Sequence, residues 1–362
     1  MNSPIKILIV GPFPDPISGV SLANLNVKKI LDKNVKFKSQ IINTTFPEFD
    51  EDLGVFSFKK FFFYLFLNFR IYKIFNVDKI YITPGQTFFG IVKYAPFILF
   101  SKLLRKELII HVHGNFIKDQ YKLLSSWKKK IYKFLISRFN KGIVLSNSLN
   151  DNLTPFLDSN NIFSVPNFAE NYLFDNQKKH SEICEIRIIY LSNLMKEKGI
   201  IELLNALRIL EKEGVKFKAK IAGNIDEKSK FAVNQLMNDS ENISYLGIVK
   251  NEAKKKLLNW GNVFVLPTYY KMEGQPISII EAMATNNVIV TTKHAGIPDL
   301  IKDKRNGYFV KKGDVSDLKN KLEYLILNKS SLKEIMLTNK ELFLANFTFD
   351  RFEERIIDIF LK

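Results

Sequence analysis

In NVFVLPTYYKMEGQPISIIEAMATNNVIVTT (residues 262–292), two short β-branched runs enclose a loop and a helical pattern. NVFVLPT reads as a buried strand ending at Pro267, which cannot continue a hydrogen-bonded ladder. YYKMEGQP carries the Gly and Pro of a loop. ISIIEAMATN (277–286) spaces its apolar residues as a helix does, and VIVTT (288–292) is a second strand. Strand, loop, helix and strand in so short a stretch form a βαβ unit, which belongs to a parallel sheet with helices on its faces.

The same alternation extends in both directions. IRIIYLS (186–192), the helix GIIELLNALRILEKEG (199–214) and FKAKIAG (217–223) come before it, and GYFV (307–310) follows. In the first half, IKILIV (5–10) leads through a Gly/Pro-rich loop into the helix SLANLNVKKILDK (21–33). KIYIT (79–83), ELIIHVH (107–113) and KGIVLS (141–146) read as further buried strands. VPNFAENYLFDNQKKHSEI (165–183) breaks the rhythm with a Pro, few aliphatic residues and a polar run, and reads as an interdomain connection. Two successive α/β domains are expected, residues 1–168 and 169–346, with a cleft between them. FTFDRFEERIIDIFLK (347–362) is a terminal amphipathic helix expected to pack back on the first domain. In such sheets ligands sit beyond the carboxyl ends of the strands.

A chain of 362 residues with 46% hydrophobic content has the material for two cores, and disorder over a long segment is excluded. The single cysteine, Cys184, excludes an internal disulfide framework and a cysteine-based zinc site. The N-terminal apolar run is too short for a signal peptide, and nothing is apolar enough to span a bilayer, so a soluble or peripheral protein is expected. The formal charge of +17 asks for an anionic partner. Residues 1–170 hold 23 Lys+Arg against 12 Asp+Glu. KKFFFYLFLNFRIYKIF (59–75) and KDQYKLLSSWKKKIYKFLISRFNKG (118–142) concentrate this charge and interleave it with aromatic and aliphatic residues. They are either core helices with solvated lysines or a surface that rests on anionic lipid headgroups. No nucleic-acid-binding module accompanies the charge, so no nucleic-acid partner is expected.

Glu273 and Glu281 stand out in a basic chain. Glu273 precedes a helix N-terminus and Glu281 lies about one turn inside it, while the backbone N–H groups from Gly274 through Gln275, Pro276 and Ile277 to Ser278 form a loop suited to phosphate or sugar oxygens, Pro276 itself having no N–H. Carboxylates beside such a loop accept hydrogen bonds from sugar hydroxyls. The alternative is a first-turn helix acid and a helix-surface residue.

PTYYKMEGQPISIIEAMATNNVIVTTKHAGIPDLIKDKRNGYFVKKGD (267–314) closely resembles the donor-site pattern of the retaining glycosyltransferases of family 4, which have the GT-B fold of two Rossmann-like domains. The resemblance implies that Glu273 approaches the donor sugar and Glu281 holds the ribose hydroxyls. YLSNLMKEKGIIELLNAL (190–207) occupies the position of the family's diphosphate clamp. Lys198 matches its Lys, and Asn193 stands where an Arg is usual, leaving phosphate binding to lean on Lys198 and backbone amides. IAGN (221–224) and YLGIVKNEAKKKLL (245–258) match segments flanking the base, with Gly247 and Ile248 meeting it; turn roles for Gly223 and Gly247 are equally open. GPFPDPISGVS (11–21) resembles the family's glycine loop, and Gly19 permits close approach to an oxyanion, or simply makes a turn.

His113, in HVHGNF (111–116), matches the family histidine beside the donor sugar. A structural histidine, or a metal pair with His111, is the alternative, but no third ligand is apparent. His294, before AGIPD, reads as structural. The acidic run FDEDLG (49–54) resembles the metal-binding triplet of the other large glycosyltransferase fold but lacks its context, so no metal or other cofactor is expected. The expected activity is transfer of a hexose or N-acetylhexosamine from a nucleotide-sugar donor, a UDP-sugar by analogy. The acceptor is a glycan or lipid-linked glycan, in surface polysaccharide or O-antigen assembly on the inner face of the cytoplasmic membrane. A sugar-nucleotide epimerase of similar shape and a noncatalytic basic membrane-binding protein are the alternatives.

Overall fold

The computed structural model describes residues 3–15, 18–46, 58–174, 183–238 and 240–362; the FDEDLG run lies outside them. The chain divides into two compact units. The first comprises Met1–Pro166, Met272–Gln275 and Glu353–Lys362, and the second Asn167–Lys271 and Pro276–Phe352.

The first unit is built on six parallel strands: β1 (Ile5–Gly11), β2 (Phe37–Asn43), β3 (Lys79–Ile82), β4 (Glu107–Val112), β5 (Lys141–Val144) and β6 (Ile162–Ser164), in the order β2-β1-β3-β4-β5-β6. Ile7, Leu8, Ile9 and Val10 of β1 are all inaccessible to solvent. Side chains on both faces of a strand can be buried together only if helices cover both faces, which is why the run is continuously apolar rather than alternating. The helix Gly19–Lys33 follows β1 and opens with a reciprocal cap. Ser21 N donates to Ser18 Oγ at 3.1 Å and Ser18 N to Ser21 Oγ at 2.8 Å, satisfying two backbone donors. At the carboxyl end of β1, Asn24 Nδ2 donates to Pro12 O and to Thr83 Oγ1, both at 2.8 Å, tying the loop to the end of β3.

The terminal helix Phe349–Leu361 contributes Phe360 to this unit, where its ring meets Tyr81 at 5.7 Å and Phe37 at 6.3 Å. Lys141 Nζ donates to Ile359 O at 3.3 Å.

The second unit has six parallel strands: β7 (Arg187–Leu191), β8 (Lys218–Ala222), β9 (Ile243–Tyr245), β10 (Val263–Leu266), β11 (Val288–Thr292) and β12 (Gly307–Val310), in the order β12-β11-β10-β7-β8-β9. Each sheet reverses its strand order once, between β1 and β3 in the first and between β7 and β10 in the second. At such a reversal the loops leave in opposite directions and open a crevice beyond the strand ends. Residues 262–292 form β10, the helix Ile277–Ala284 and β11, as the sequence dictates. Three strands lie outside the sequence alternation, β2, β6 and β9, and each is a sheet edge. Among the described residues no helix is long and apolar enough to cross a membrane.

Candidate functional site

In the second unit the loops after β7 and β10 meet at the reversal point. After β7 the chain makes a short turn, Lys196–Lys198, and enters the helix Ile200–Lys212 through Gly199 at φ +78°. A Cβ on Gly199 would lie 2.5 Å from both Cγ and O of Pro267, so the left-handed backbone and the close approach each demand glycine. This contact sets the two loops side by side. Tyr269 N donates to Glu197 O at 2.8 Å, and Tyr190 OH donates to Asn193 O at 3.0 Å. Lys198 emerges half-buried with its Nζ 5.1 Å above the Tyr270 ring, and Asn193 is exposed beside it. Tyr269 OH donates to the buried Glu202 at 3.1 Å; burial, then the neighbouring carboxylate, pushes this phenol up to about 12.

Sequence reasoning missed the support behind Tyr270. Lys312 Nζ donates to His294 Nδ1 at 3.0 Å, which leaves the imidazole proton on Nε2 to bond Tyr270 O at 2.8 Å. The signal was present in the positions of His294 and Lys312 at the ends of neighbouring parallel strands, but the strand pairing had to be known first.

Glu281 lies on the helix Ile277–Ala284, which starts at Pro276; the first-turn N–H groups of Ile277 and Ser278 have no acceptor within the helix. Its carboxylate is buried and forms an ion pair with Lys254, from the helix Asn251–Trp260, through Oε1. Oε2 has no hydrogen-bond partner among the described residues. Burial pushes the Glu281 carboxyl up against the pull of Lys254. Burial also opposes the Lys254 charge, but Glu281 more than offsets it and holds the ammonium above its ordinary value. Lys254 was not singled out from the sequence, because a lysine in KNEAKKKLL looks like any other on a charged helix. On the loops after β8 and β9, Gly223 N donates to Gly247 O at 2.9 Å, and Ile248 is exposed.

In the first unit His113 follows β4. Its ring stacks on the fully buried His111 with centroids 4.0 Å apart, and Tyr81 OH lies 2.5 Å from His111 Nδ1. Nε2 of each histidine is buried with no hydrogen-bond partner among the described residues. Burial lowers His113 to about 4. It also holds His111 well below its ordinary value, His113 adding to the effect, so both rings are neutral at physiological pH. A buried unpartnered imidazole nitrogen is costly unless something binds it. Met272–Gln275 group with this unit, with Glu273 and Gln275 buried. A Cβ on Gly274 would collide with His113 O, so only glycine brings the chain that close. Gly19, the first residue of its helix, is exposed. Of the sequence-selected residues, the structure therefore groups His113, Gly274 and its neighbours in one unit. Lys198, Asn193, Gly247, Ile248 and Glu281 lie on loops or helices at the carboxyl ends of the other unit's strands.

Residues 174–341 match the family described as Glycosyl transferases group 1. The chain is 30% identical over 138 residues to the amylovoran biosynthesis glycosyltransferase AmsK of Erwinia amylovora, covering 37% of this chain and 34% of AmsK. The chain spans less than half the length of the first curated relatives it matches.

Similarity of fold extends over the whole chain. A glycosyltransferase of Rickettsia africae superposes with a TM-score of 0.77 at 17% identity, covering 99% of this chain and 98% of its own. Anabaena HepE, solved in complex with UDP and glucose, gives 0.73 at 16% identity, with 99% of each chain covered. The two parallel sheets thus have the GT-B glycosyltransferase fold.

Proposed function

We propose that this protein is a retaining glycosyltransferase of family 4. It moves a hexose or N-acetylhexosamine from a UDP-sugar to a hydroxyl of a glycan or lipid-linked glycan, in the assembly of a surface polysaccharide. The observation that carries this reading is the position of Lys198. It stands at the β7/β10 reversal beside Gly199, within the residues that match the group 1 family. Its ammonium is placed to neutralise the diphosphate as it leaves, with the first-turn amides of Ile277 and Ser278 as further donors. Glu281 Oε2 accepts from a ribose hydroxyl while Lys254 holds Oε1, Asn193 adds a neutral donor to the phosphates, and Gly247 and Ile248 border the base. The relatives support the same direction: AmsK is named for polysaccharide biosynthesis and HepE was solved with UDP.

At the sugar end, His113 offers a neutral Nε2 to a hydroxyl and Glu273 orients the ring, while Gly19 leaves room for an oxyanion. In the step, the acceptor oxygen bonds to the anomeric carbon on the face from which the diphosphate departs. The carbon–oxygen bond to phosphate breaks, and the acceptor proton passes to the departing phosphate oxygen. No protein nucleophile and no metal is assigned.

The basic, aromatic character of the first unit supports a reaction at the inner face of the cytoplasmic membrane, where a lipid-linked acceptor would reside. The test is incubation with a panel of nucleotide sugars, with and without lipid-linked glycan acceptors. Acceptor-dependent release of UDP and a glycosylated product support transfer. A modified sugar formed without acceptor would establish an epimerase, and the absence of turnover with every donor would leave only a binding protein.

A further inference from the structure

The starts of β3, β4 and β5 lie at the opposite edge of the first sheet from His113. β4 carries about six residues between these ends, or roughly 20 Å at the rise of a strand. A pocket of about 630 Å³ opens at this edge. Lys102, Arg105, Lys106, Lys141 and Lys362 line it, and Glu107 is its one acidic side chain. Glu107 is already engaged by two cations, Lys79 at 2.8 Å and Lys141 at 2.5 Å, so the pocket keeps a surplus of positive charge. Arg105 has no ion-pair partner among the described residues, and it occupies a left-handed conformation, φ +53°, just past the end of the helix Ala95–Leu103. Glycine is the ordinary choice there. Cations near a helix C-terminus complement its dipole, which accounts for Lys102 and Arg105 but not for the convergence of Lys141 and Lys362.

An apolar surface adjoins this pocket at Phe75. Phe75 packs edge-on against Phe100 of the same helix at 5.4 Å, and Lys106 Nζ reaches Phe75 O at 3.5 Å. Phe69, Tyr72 and Phe75 of the turn Asn68–Asn76, and Leu103 of the helix, each keep more than half of their surface exposed. Exposed aromatic and aliphatic side chains beside unneutralised cations suit an interface whose headgroups are anionic and whose interior is hydrocarbon.

We propose that this edge of the first unit docks on an anionic phospholipid bilayer. A lipid phosphate enters the pocket between Arg105, Lys106 and Lys141, and Phe69, Tyr72, Phe75 and Leu103 lie at the headgroup–acyl boundary. The proposal rests on the membrane-side reading above and gives it a location at the far end of the first sheet from His113.

Sedimentation with vesicles tests it, using phosphatidylcholine alone and phosphatidylcholine with about a third phosphatidylglycerol at about 0.1 M salt. The wild type sediments with the anionic vesicles. Arg105→Gly suits the left-handed backbone, so the variant melts at or above the wild-type temperature, yet its partitioning falls about five-fold, and Arg105→Gly with Lys106→Ala falls about 25-fold. Phe69→Ser with Tyr72→Ser weakens binding without changing the charge. Lys212→Ala with Lys216→Ala, two charges removed from the second unit, changes partitioning less than two-fold.

Equal losses in the pocket variant and this control would reduce the effect to bulk charge and overturn the proposal. So would stabilisation by inorganic phosphate that Arg105→Gly abolishes, without vesicle binding. The UDP-induced thermal shift is measured in parallel. A wild type that UDP stabilises but vesicles do not retain would defeat the bilayer site and leave the donor reading standing.

Discussion

The stacked histidines make the stability of the first unit depend on pH in a calculable way. His113 titrates near 6.5 when unfolded and at about 4 when folded, because burial penalises its charged form. Between these values the unfolded chain binds more protons, so stability is fully present above pH 6.5 and is lost as the pH falls towards 4. Linkage through the 6.5-to-4 shift gives a loss of about 2 kcal/mol between pH 7 and pH 5, approaching about 3 kcal/mol at pH 4. His111 adds to it in the same direction. His113→Phe keeps a ring against His111 but cannot take a proton, so its stability should fall by about 2 kcal/mol less over the same interval. The chain has two tryptophans, and Trp127 belongs to the first unit and Trp260 to the second. Urea unfolding followed by Trp127 fluorescence in a Trp260→Phe background therefore reads the first unit alone. Identical pH dependence with and without His113 would refute the assignment of a neutral buried ring.

Further outcomes follow from the second unit. Glu281→Ala strands the Lys254 ammonium and should cost about 3 kcal/mol, at the low end for a broken buried pair because Lys254 keeps some solvent contact; adding Lys254→Ala should recover part of the loss in denaturant titrations. Since burial raises the Glu281 carboxyl, its contribution to stability falls as pH rises from the ordinary carboxylate value through the raised one, and Glu281→Gln should abolish that slope. Gly199→Ala should cost about 2–3 kcal/mol from left-handed strain and the collision with Pro267, and should weaken UDP binding by displacing Lys198, as calorimetry would register.

The fold was legible where strands were buried on both faces. β1, β4, β7, β10 and β11 are continuous apolar runs, and their punctuation by Gly and Pro set the alternation. β2, FKSQIIN, has one covered edge, so polar residues interrupt it, and β6 and β9 are only three residues long. None of the three carries a periodic signal, and their partners alone define them. The candidate site was legible where it followed strand ends in order, as with Lys198, Glu281 and His113. Lys254, Lys312 and Tyr270 escaped notice because their importance comes from contacts across parallel strands and between helices distant in sequence. The basic pocket escaped for the same reason, since Arg105, Lys141 and Lys362 converge only once the first sheet and the terminal helix are in place.

The account depends most on the second unit gripping a nucleotide diphosphate through Lys198. Calorimetric titration of UDP into the wild type and Lys198→Ala tests this directly, with far-ultraviolet circular dichroism confirming that both are folded. Loss of one charge-assisted contact predicts UDP binding about 10- to 100-fold weaker in the variant. Equal affinities in two folded proteins would contradict the account.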